Sequence, residues 1–231
     1  MNIIINGGSK GIGKETALFM SKDANNQIII TGRSEQELTS VADRAANQNI
    51  TILPLDLSII DQNHEEIKNK VLNRFERVDI LINNAGYLVV KDFMKFTYNE
   101  AREIMETNFF GPATFIRLVS PVMQRGSHII NISSMGGFQG SSKYKGLSYY
   151  SASKAALANL TECLAVEFIE EGISVNCLAL GSVQTEMFEN AFKGFQAPLK
   201  PDLMAEFISY FALHGNKFFN GKILPVAVSN P

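Results

Sequence analysis

Short apolar runs alternate with longer segments of helical spacing along the whole chain. The apolar runs are nearly continuous Ile, Leu and Val without period-2 alternation, which is typical of strands buried on both faces of a parallel sheet. The pattern therefore predicts about seven strands, which lie at Ile3–Ile5, Gln27–Thr31, Ile50–Leu53, Val78–Asn83, His128–Ile132, Ser174–Leu178 and Ile223–Val226.

The segments between these strands carry apolar residues at the spacing of amphipathic helices. Strand–helix–strand units with right-handed crossovers place helices on both faces of one sheet. The predicted fold class is therefore α/β, a doubly wound, Rossmann-like sheet of mostly parallel strands. No linker divides residues 1–231, so we expect a single dinucleotide-binding catalytic domain. The predicted helices lie at Lys14–Lys22, Glu35–Ala46, Gln62–Phe75, Tyr98–Met123 and Ser151–Glu171, and a last helix begins at Lys200-Pro201. The predicted loops lie at Gly136–Ser148 and Gly194–Pro201.

Composition narrows the classes of function. The chain is 45% hydrophobic and 19% charged, which is enough apolar material for a packed core. Its formal net charge of −2 disfavours a nucleic-acid partner. Two cysteines and three scattered histidines lack metal-ligand spacing, so no metal site is predicted. No apolar run approaches the ~18 residues of a membrane span. The chain also opens on a predicted strand, so we expect a cytoplasmic protein without a signal peptide or membrane partner.

A glycine-rich turn follows the first predicted strand and precedes a helix. In a doubly wound sheet, this turn is where the pyrophosphate of a dinucleotide lies, because glycines admit the phosphates and the helix N-terminus offers free N–H groups. The spacing is G-x-x-x-G-x-G and not the general G-x-G-x-x-G, so an ordinary glycine turn is the alternative. The predicted phosphate-binding residues are Gly7, Ser9, Lys10, Gly11, Ile12 and Gly13.

The end of the second strand bears on which dinucleotide binds. A carboxylate there would accept from the adenosine ribose 2′-OH, whereas an arginine suits a 2′-phosphate. The strand ends Thr31-Gly32-Arg33-Ser34 without a carboxylate, and Lys10 adds a second cation. These residues favour NADP(H), with NAD(H) as the alternative.

Several motifs stand in order along the chain, each at the C-terminal end of its predicted strand or on the helix that follows. With them the sequence resembles the classical short-chain dehydrogenase/reductase family, from Ile3 to about Val226. The motifs are Gly7-x-x-x-Gly11-Ile12-Gly13, Asp56-Leu57, Asn83-Asn84-Ala85-Gly86, Thr107-Asn108-Phe109, Ser133-Ser134 and Tyr150-x-x-x-Lys154.

The resemblance implies roles for further residues. Asp56 and Leu57 would contact the adenine, and Asn83, Ala85 and Gly86 would line the floor under the adenosine ribose. Val183 and Thr185 would meet the nicotinamide carboxamide, and Asn108 would seat a water that links Lys154 to solvent. Lys154 would also hold the nicotinamide ribose. The family further implies a homodimer or homotetramer.

Three positions or segments depart from the family pattern. Asn6 replaces the usual Thr before the glycines, and Leu180 replaces the usual Pro before Gly181. The substrate-side segment, around residues 183–202, is short, which suggests an open cleft and leaves the substrate unidentified.

Tyr150 and Lys154 are four residues apart on a predicted helix, so their side chains share one face. A free phenol has a pKa near 10. A neighbouring ammonium and an oxidised nicotinamide ring would lower the pKa of Tyr150 towards about 7, which takes roughly 4 kcal/mol. Tyr150 would then protonate a carbonyl or deprotonate an alcohol. Tyr149 has Ser153 at the equivalent position, so we predict a structural role for it.

Ser134 is predicted to donate a hydrogen bond to the substrate oxygen as charge develops there. The leading function is thus an NADP(H)-dependent carbonyl reductase or alcohol dehydrogenase acting on a small molecule. An epimerase or dehydratase of the same fold is a second interpretation. A dinucleotide-sensing binding protein without turnover is a third, which the set of Ser134, Tyr150, Lys154 and Asn108 disfavours.

Overall fold

The chain forms one seven-stranded sheet with helices on both faces, as seen in a computed structural model that describes residues 1–228, with the side chains of residues 61–64 and 72 left undescribed. All strand pairs are parallel, in the order β3-β2-β1-β4-β5-β6-β7. The predicted doubly wound sheet is therefore confirmed. The strands are β1 (Asn2–Asn6), β2 (Gln27–Gly32), β3 (Ile50–Pro54), β4 (Val78–Asn83), β5 (Met123–Ser134), β6 (Ser174–Leu180) and β7 (Ile223–Val226).

The helices agree with the predicted segments in place but differ at their ends. The segment predicted as one helix over Tyr98–Met123 is instead two α-helices joined by a π-helical turn at Glu106–Phe110. One short helix, Glu186–Ala191, was not predicted. The helices are α1 (Gly11–Met20), α2 (Glu35–Ala42), α3 (His64–Leu72), α4 (Tyr98–Met105), α5 (Gly111–Val119), α6 (Ser148–Glu167), α7 (Glu186–Ala191) and α8 (Pro201–His214).

Alternate residues of the central strands enter two separate hydrophobic cores. Ile3 and Ile5 of β1 pack with residues of α1, α2 and α8, among them Leu38 and Ile208. Ile4 points to the opposite face and packs with residues of α3, α5 and α6. Because both faces of each strand are buried, every position favours an apolar residue, which explains the unbroken Ile and Leu runs.

The chain direction places the ends of several strands at one edge of the sheet. The chain runs outwards from β1 through β2 to β3, and then returns to β4 on the other side of β1. In open α/β sheets such a switch point creates a crevice outside the carboxyl ends of the strands. No helix within residues 1–228 is long and apolar enough to cross a membrane.

Candidate active site

The glycine turn packs tightly against the end of β4. Gly7 has a φ of +78°, and a Cβ on it would lie 2.6 Å from the Cα of Ala85. A Cβ on Gly13 would lie 2.2 Å from the carbonyl oxygen of Gly7 and 2.4 Å from the side-chain nitrogen of Asn84. The turn therefore has this shape only with glycine at both positions.

The N-terminus of α1 is left open by this turn. Lys10 occupies the N-cap position without a side-chain hydrogen bond to the helix, and the first turn contains no acidic residue. Lys14 donates from its N–H to the carbonyl oxygen of Lys10 at 3.2 Å, so the N–H groups before it have no partner within the helix. This arrangement fits the pyrophosphate of a dinucleotide, because free N–H groups and the helix dipole favour an anion.

The two cations predicted to bind the 2′-phosphate, Lys10 and Arg33, differ in whether a carboxylate pairs with them. Lys10 was expected to add a second cation for the 2′-phosphate, but its ammonium lies 2.8 Å from a carboxylate oxygen of Glu37 and 3.4 Å from one of Glu186. These carboxylates raise the pKa of Lys10. Arg33 is exposed just beyond β2, and no carboxylate in the described part of the chain pairs with it. Of the two predicted cations, only Arg33 is free for a 2′-phosphate.

The predicted adenine-contacting pair is divided between the surface and the core. Asp56 is half-buried, and its carboxylate accepts hydrogen bonds from the backbone N–H and the hydroxyl of Ser58, at 2.9 and 2.7 Å. The Leu57 side chain is buried in the core beside α3 and α5. Asp56 thus lies near the sheet edge, whereas the side chain of Leu57 is a packing residue.

A buried chain of polar side chains joins four neighbouring strands at this edge. Thr31 donates to Asn6 at 2.8 Å, Asn6 to Asn83 at 2.8 Å, and Asn83 to Asn131 at 2.8 Å. Asn131 then donates to Thr161 of α6 at 3.0 Å. The Asn83 side chain, predicted to line the ribose floor, is therefore buried in this chain and holds the strands in register. Ala85 and Gly86, beyond it, are half-buried at the edge.

Two hydroxyls meet where β5 ends and α6 begins. The Ser134 side chain lies close enough to the Tyr150 hydroxyl to affect its pKa, and Ser134 accepts from the N–H of Gly136 at 3.1 Å. Burial raises the pKa of the Tyr150 phenol, and the hydrogen bond from Ser134 opposes that shift. The lowering expected from the Lys154 ammonium is absent in the free protein, so Tyr150 is protonated at neutral pH. The lowering by Lys154 together with an oxidised nicotinamide ring stays a prediction for the dinucleotide complex.

The position of the Lys154 ammonium explains why it does not lower the pKa of the phenol, because the ammonium donates to a backbone carbonyl instead. The ammonium is buried and donates to the carbonyl oxygen of Ile132 at 2.9 Å. Burial lowers the pKa of Lys154 to about 8, and Cys177 of β6 weakly opposes the shift. The Nζ atom also lies 3.5 Å from the position of a Cβ on Gly86. Lys154 therefore reaches the floor of the crevice rather than the phenol.

Asn108 is presented by the π-helical turn between α4 and α5. Its amide nitrogen donates to the carbonyl oxygen of Tyr87 at 2.9 Å and to the hydroxyl of Ser153 at 3.0 Å. Its amide oxygen accepts from the N–H of Tyr87 at 2.7 Å. Ser153 in turn donates to the carbonyl oxygen of Tyr150 at 2.7 Å. Sequence analysis did not assign Ser153 a role at the site, although its place between Tyr150 and Lys154 was a usable signal.

The two residues predicted to meet the nicotinamide, Val183 and Thr185, lie in the segment between β6 and α8. Val183 is buried and pairs with Leu199 in an isolated parallel bridge. Thr185 caps α7 by accepting from the N–H of Phe188 at 3.2 Å. Its methyl carbon lies 3.3 Å from the position of a Cβ on Gly11. The short substrate-side segment therefore contacts the glycine turn directly.

Comparison with known proteins gives matches over most of the chain. The family model described as short chain dehydrogenase matches residues 1–195. An uncharacterized oxidoreductase of Staphylococcus saprophyticus is 30% identical over 213 residues, covering 90% of this chain and 88% of the relative. A 3-oxoacyl-[acyl-carrier-protein] reductase of Thermotoga maritima is 27% identical over 236 residues, covering 96% and 94%. A solved short chain dehydrogenase of Burkholderia cenocepacia, in complex with NADP, superimposes with a TM-score of 0.86 at 24% identity, covering 97% and 95%.

Proposed function

The chain belongs to the short-chain dehydrogenase family of oxidoreductases, and on that basis we propose that it reduces a carbonyl compound or oxidises the matching secondary alcohol. The reaction moves a hydride between the substrate and a nicotinamide dinucleotide, with NADPH favoured over NADH. The observation that carries the proposal is that the side chains of Ser134 and Tyr150 interact at the same sheet edge as the open glycine turn. Residues 1–231 act as one catalytic domain, with the segment around 183–202 on the substrate side.

The bound dinucleotide would supply the hydride, and the residues of the crevice would hold it in extended form. The free N–H groups at the start of α1 suit its pyrophosphate, and Asp56 suits the adenine end. Lys154 reaches the crevice floor beside Gly86 and can donate to a ribose hydroxyl. Arg33 supports NADPH, because its exposed guanidinium can pair with a 2′-phosphate. The neighbour of Burkholderia cenocepacia, in complex with NADP, is consistent with this choice.

Tyr150 supplies the proton in the direction of reduction. Its raised pKa keeps the phenol protonated at neutral pH, so it can donate a proton to a carbonyl oxygen that gains a hydride on carbon. Ser134 accepts from Gly136, and its O–H, which opposes the raised pKa of Tyr150 in the free protein, would turn to donate to the same substrate oxygen. Asn108 and Ser153 support this pair indirectly, because their hydrogen bonds hold α6 against the loop after β4. Asn108 contacts neither hydroxyl of the reacting pair and is therefore a positioning residue.

The test is consumption of NADPH by the purified chain in the presence of a panel of aldehydes and ketones. We expect a loss of reduced-nicotinamide absorbance that depends on the carbonyl compound, with one alcohol formed per NADPH consumed. Tight binding of NADPH without turnover of any panel member would contradict the proposal and favour the dinucleotide-sensing interpretation.

The proposed assembly is a homo-oligomer in the cytoplasm. Leu203, Phe207 and Tyr210 of α8 are exposed at a spacing that places them on one face of the helix, and Phe218 is exposed nearby. An apolar stripe of this kind on a surface helix indicates a partner. Sedimentation velocity should give the mass of a dimer or tetramer, and Phe207→Glu with Tyr210→Glu should shift it towards the monomer.

A further inference from the structure

A cavity of about 690 Å³ opens between the loop after β4 and the start of α6, where its wall includes Ser151, the residue after Tyr150. Its apolar wall includes Phe93, Met94 and Tyr144. Met94 is 90% exposed and Phe93 60% exposed, which is unusual for large apolar side chains unless they contact a ligand or partner. The volume lies in the range typical of small-molecule sites.

Two observations relate the position of this cavity to that of the reacting pair. The Phe93 ring stacks on Tyr149, the neighbour of Tyr150, with 5.6 Å between ring centroids and 20° between planes. Ser151, which lines the cavity, has its hydroxyl oxygen 2.9 Å from the position of a Cβ on Gly136. The hydroxyl oxygen of Ser134 lies 3.6 Å from the same point. Both hydroxyls thus lie beside Gly136, at most about 6.5 Å apart, so the cavity wall at Ser151 is close enough to Ser134 for one substrate to contact both.

The cavity also carries an excess of positive charge. Three of its lining residues are lysines, and Asp92 is the one carboxylate paired with their ammonium groups among residues that the structure describes. Asp92 lies 3.4 Å from the ammonium of Lys95 and 3.3 Å from that of Lys145. Lys143 has no carboxylate partner there and donates to the carbonyl oxygen of Phe138 at 2.7 Å. One carboxylate cannot compensate three ammonium groups.

We propose that this cavity binds the far end of the substrate, and that the substrate is a carbonyl compound with an apolar body and a terminal anionic group. The inference rests on the proposed function and adds the substrate class to it. Phe93, Met94 and Tyr144 contact the apolar body, and Lys95 and Lys145 pair with the anion. Both lysines are highly exposed in their pairs with Asp92, so they can turn to a new partner at little cost.

The test compares ω-oxo carboxylates of six to ten carbons with their methyl esters, as matched substrates in the presence of NADPH. The acid should have a kcat/KM about tenfold above that of its ester, mainly through KM, because one or two new charge pairs act on binding. The ratio should fall as salt is raised, because the lysines are exposed. Equal values for acid and ester at low salt would overturn the inference and leave the proposed function intact.

Substitutions at the cavity give effects of opposite sign. Lys95→Gln with Lys145→Gln should bring the acid-to-ester ratio close to one, whereas Asp92→Asn should raise it by freeing both lysines. Lys217→Gln is the matched control, since this exposed lysine lies outside the cavity. An unchanged ratio in both cavity variants would contradict the proposed role of the lysines.

If the chain turns over no carbonyl compound, a binding measurement still tests the cavity. Calorimetry with octanoate should detect binding to the chain and a clear loss in the double lysine variant. No binding, or equal binding to both proteins, overturns the inference independently of catalysis. A change in sedimentation coefficient in the double variant would show that a second copy covers the cavity, and would also overturn it.

Discussion

At the scale of single residues, Glu37 determines how much positive charge the cofactor end offers. Its carboxylate holds the ammonium of Lys10 at 2.8 Å and so places a negative charge near the tip of β2. Both side chains are partly exposed, so the pair itself adds little to stability. Its effect is on selectivity, because a 2′-phosphate must compete with Glu37 for Lys10.

Glu37→Gln should therefore strengthen the binding of NADPH and leave that of NADH unchanged. The substitution removes a repelling charge and leaves Lys10 with only the longer pair to Glu186 at 3.4 Å, and we expect a three- to tenfold lower Kd for NADPH, roughly 1 kcal/mol. Calorimetry at fixed, low salt measures both constants. Glu35→Gln is the matched control, since Glu35 lies on the same helix turn without contacting Lys10. An unchanged ratio of the two Kd values would show that Lys10 does not meet the phosphate.

Sequence analysis found Lys10 and Arg33 but could not foresee that an acid pairs with one of them. The relevant distance depends on how α2 begins at its cap Ser34 and on where α7 lies. The same limit applies to Tyr150. The spacing correctly placed Tyr150 on one helix with Lys154. In the folded chain, however, the Lys154 ammonium donates to the carbonyl oxygen of Ile132. A four-residue spacing predicts a shared face and does not predict a contact.

At the scale of elements, the π-helical turn at Glu106–Phe110 is the feature that periodicity could not predict. The apolar spacing continues through this segment, so the pattern predicts one uninterrupted helix. The extra residue of a π turn rotates Asn108 into the space beside Tyr87, where it makes three hydrogen bonds. Such turns often occur at functional sites. Helix α7, of six residues, is likewise too short for a periodic signal.

The glycine turn allows a prediction at this scale, with a revised physical reason. The glycines of this turn were expected to admit the phosphates, but a Cβ on Gly13 would first meet Gly7 and Asn84 of the protein itself. Gly13→Ala should therefore displace the turn, weaken NADPH binding by about a hundredfold or more, and lower the melting temperature. Nicotinamide fluorescence and thermal unfolding measure the two effects.

Gly126→Ala is the control for this substitution. Gly126 has a φ of +92°, but a Cβ on it would meet nothing within 4 Å. This variant should lose about 1 kcal/mol of stability through backbone strain alone and bind NADPH normally. Normal binding by Gly13→Ala as well would show that the phosphate site lies elsewhere.

At the scale of the whole molecule, a buried histidine makes the stability of the fold depend on pH. His128 of β5 donates from Nδ1 to the carbonyl oxygen of Ala212 at 3.1 Å, and its Nε2 accepts from Asn176 at 3.0 Å. A carbonyl can only accept, so these partners fix the neutral ring. Burial lowers the pKa of His128 to about 4, well below its value of 6.5 in an unfolded chain.

The sign of the effect follows from proton uptake. Between about pH 6.5 and pH 4 the unfolded chain binds a proton at His128 that the folded chain does not, so stability falls as the pH falls. The full loss is about 3 kcal/mol, of order 1.4 kcal/mol per pKa unit. Urea unfolding of the wild type at several pH values should show this slope, and His128→Gln should flatten it. Equal slopes in the two proteins would contradict the assignment.

The arrangement of the whole sheet was the most predictable property of the chain. Strands β1, β2 and β4 are apolar on both faces, and that pattern alone predicted a parallel sheet covered by helices. The buried polar chain from Thr31 through Asn131 to Thr161 was not predicted, because its members meet only through the register of four strands and one helix. Taken alone, each residue of this polar chain is typical of a strand end or a helix interior.

The central claim is that the phenol of Tyr150 transfers the proton, and the two adjacent tyrosines offer the most direct test of it. Tyr149 packs on Phe93 and Phe96, with ring centroids 5.6 and 4.9 Å apart, and makes no described contact with Ser134. Its hydroxyl is therefore expected to take no part in the reaction. The measurement is kcat for carbonyl reduction by Tyr150→Phe and Tyr149→Phe, with the Kd of NADPH determined for both variants.

Tyr150→Phe should lose at least a hundredfold in kcat, the range expected for removal of a general acid, while it binds NADPH nearly normally. Tyr149→Phe should keep most of its activity. A near-normal kcat in Tyr150→Phe would contradict the account, because proton transfer would then depend on another group.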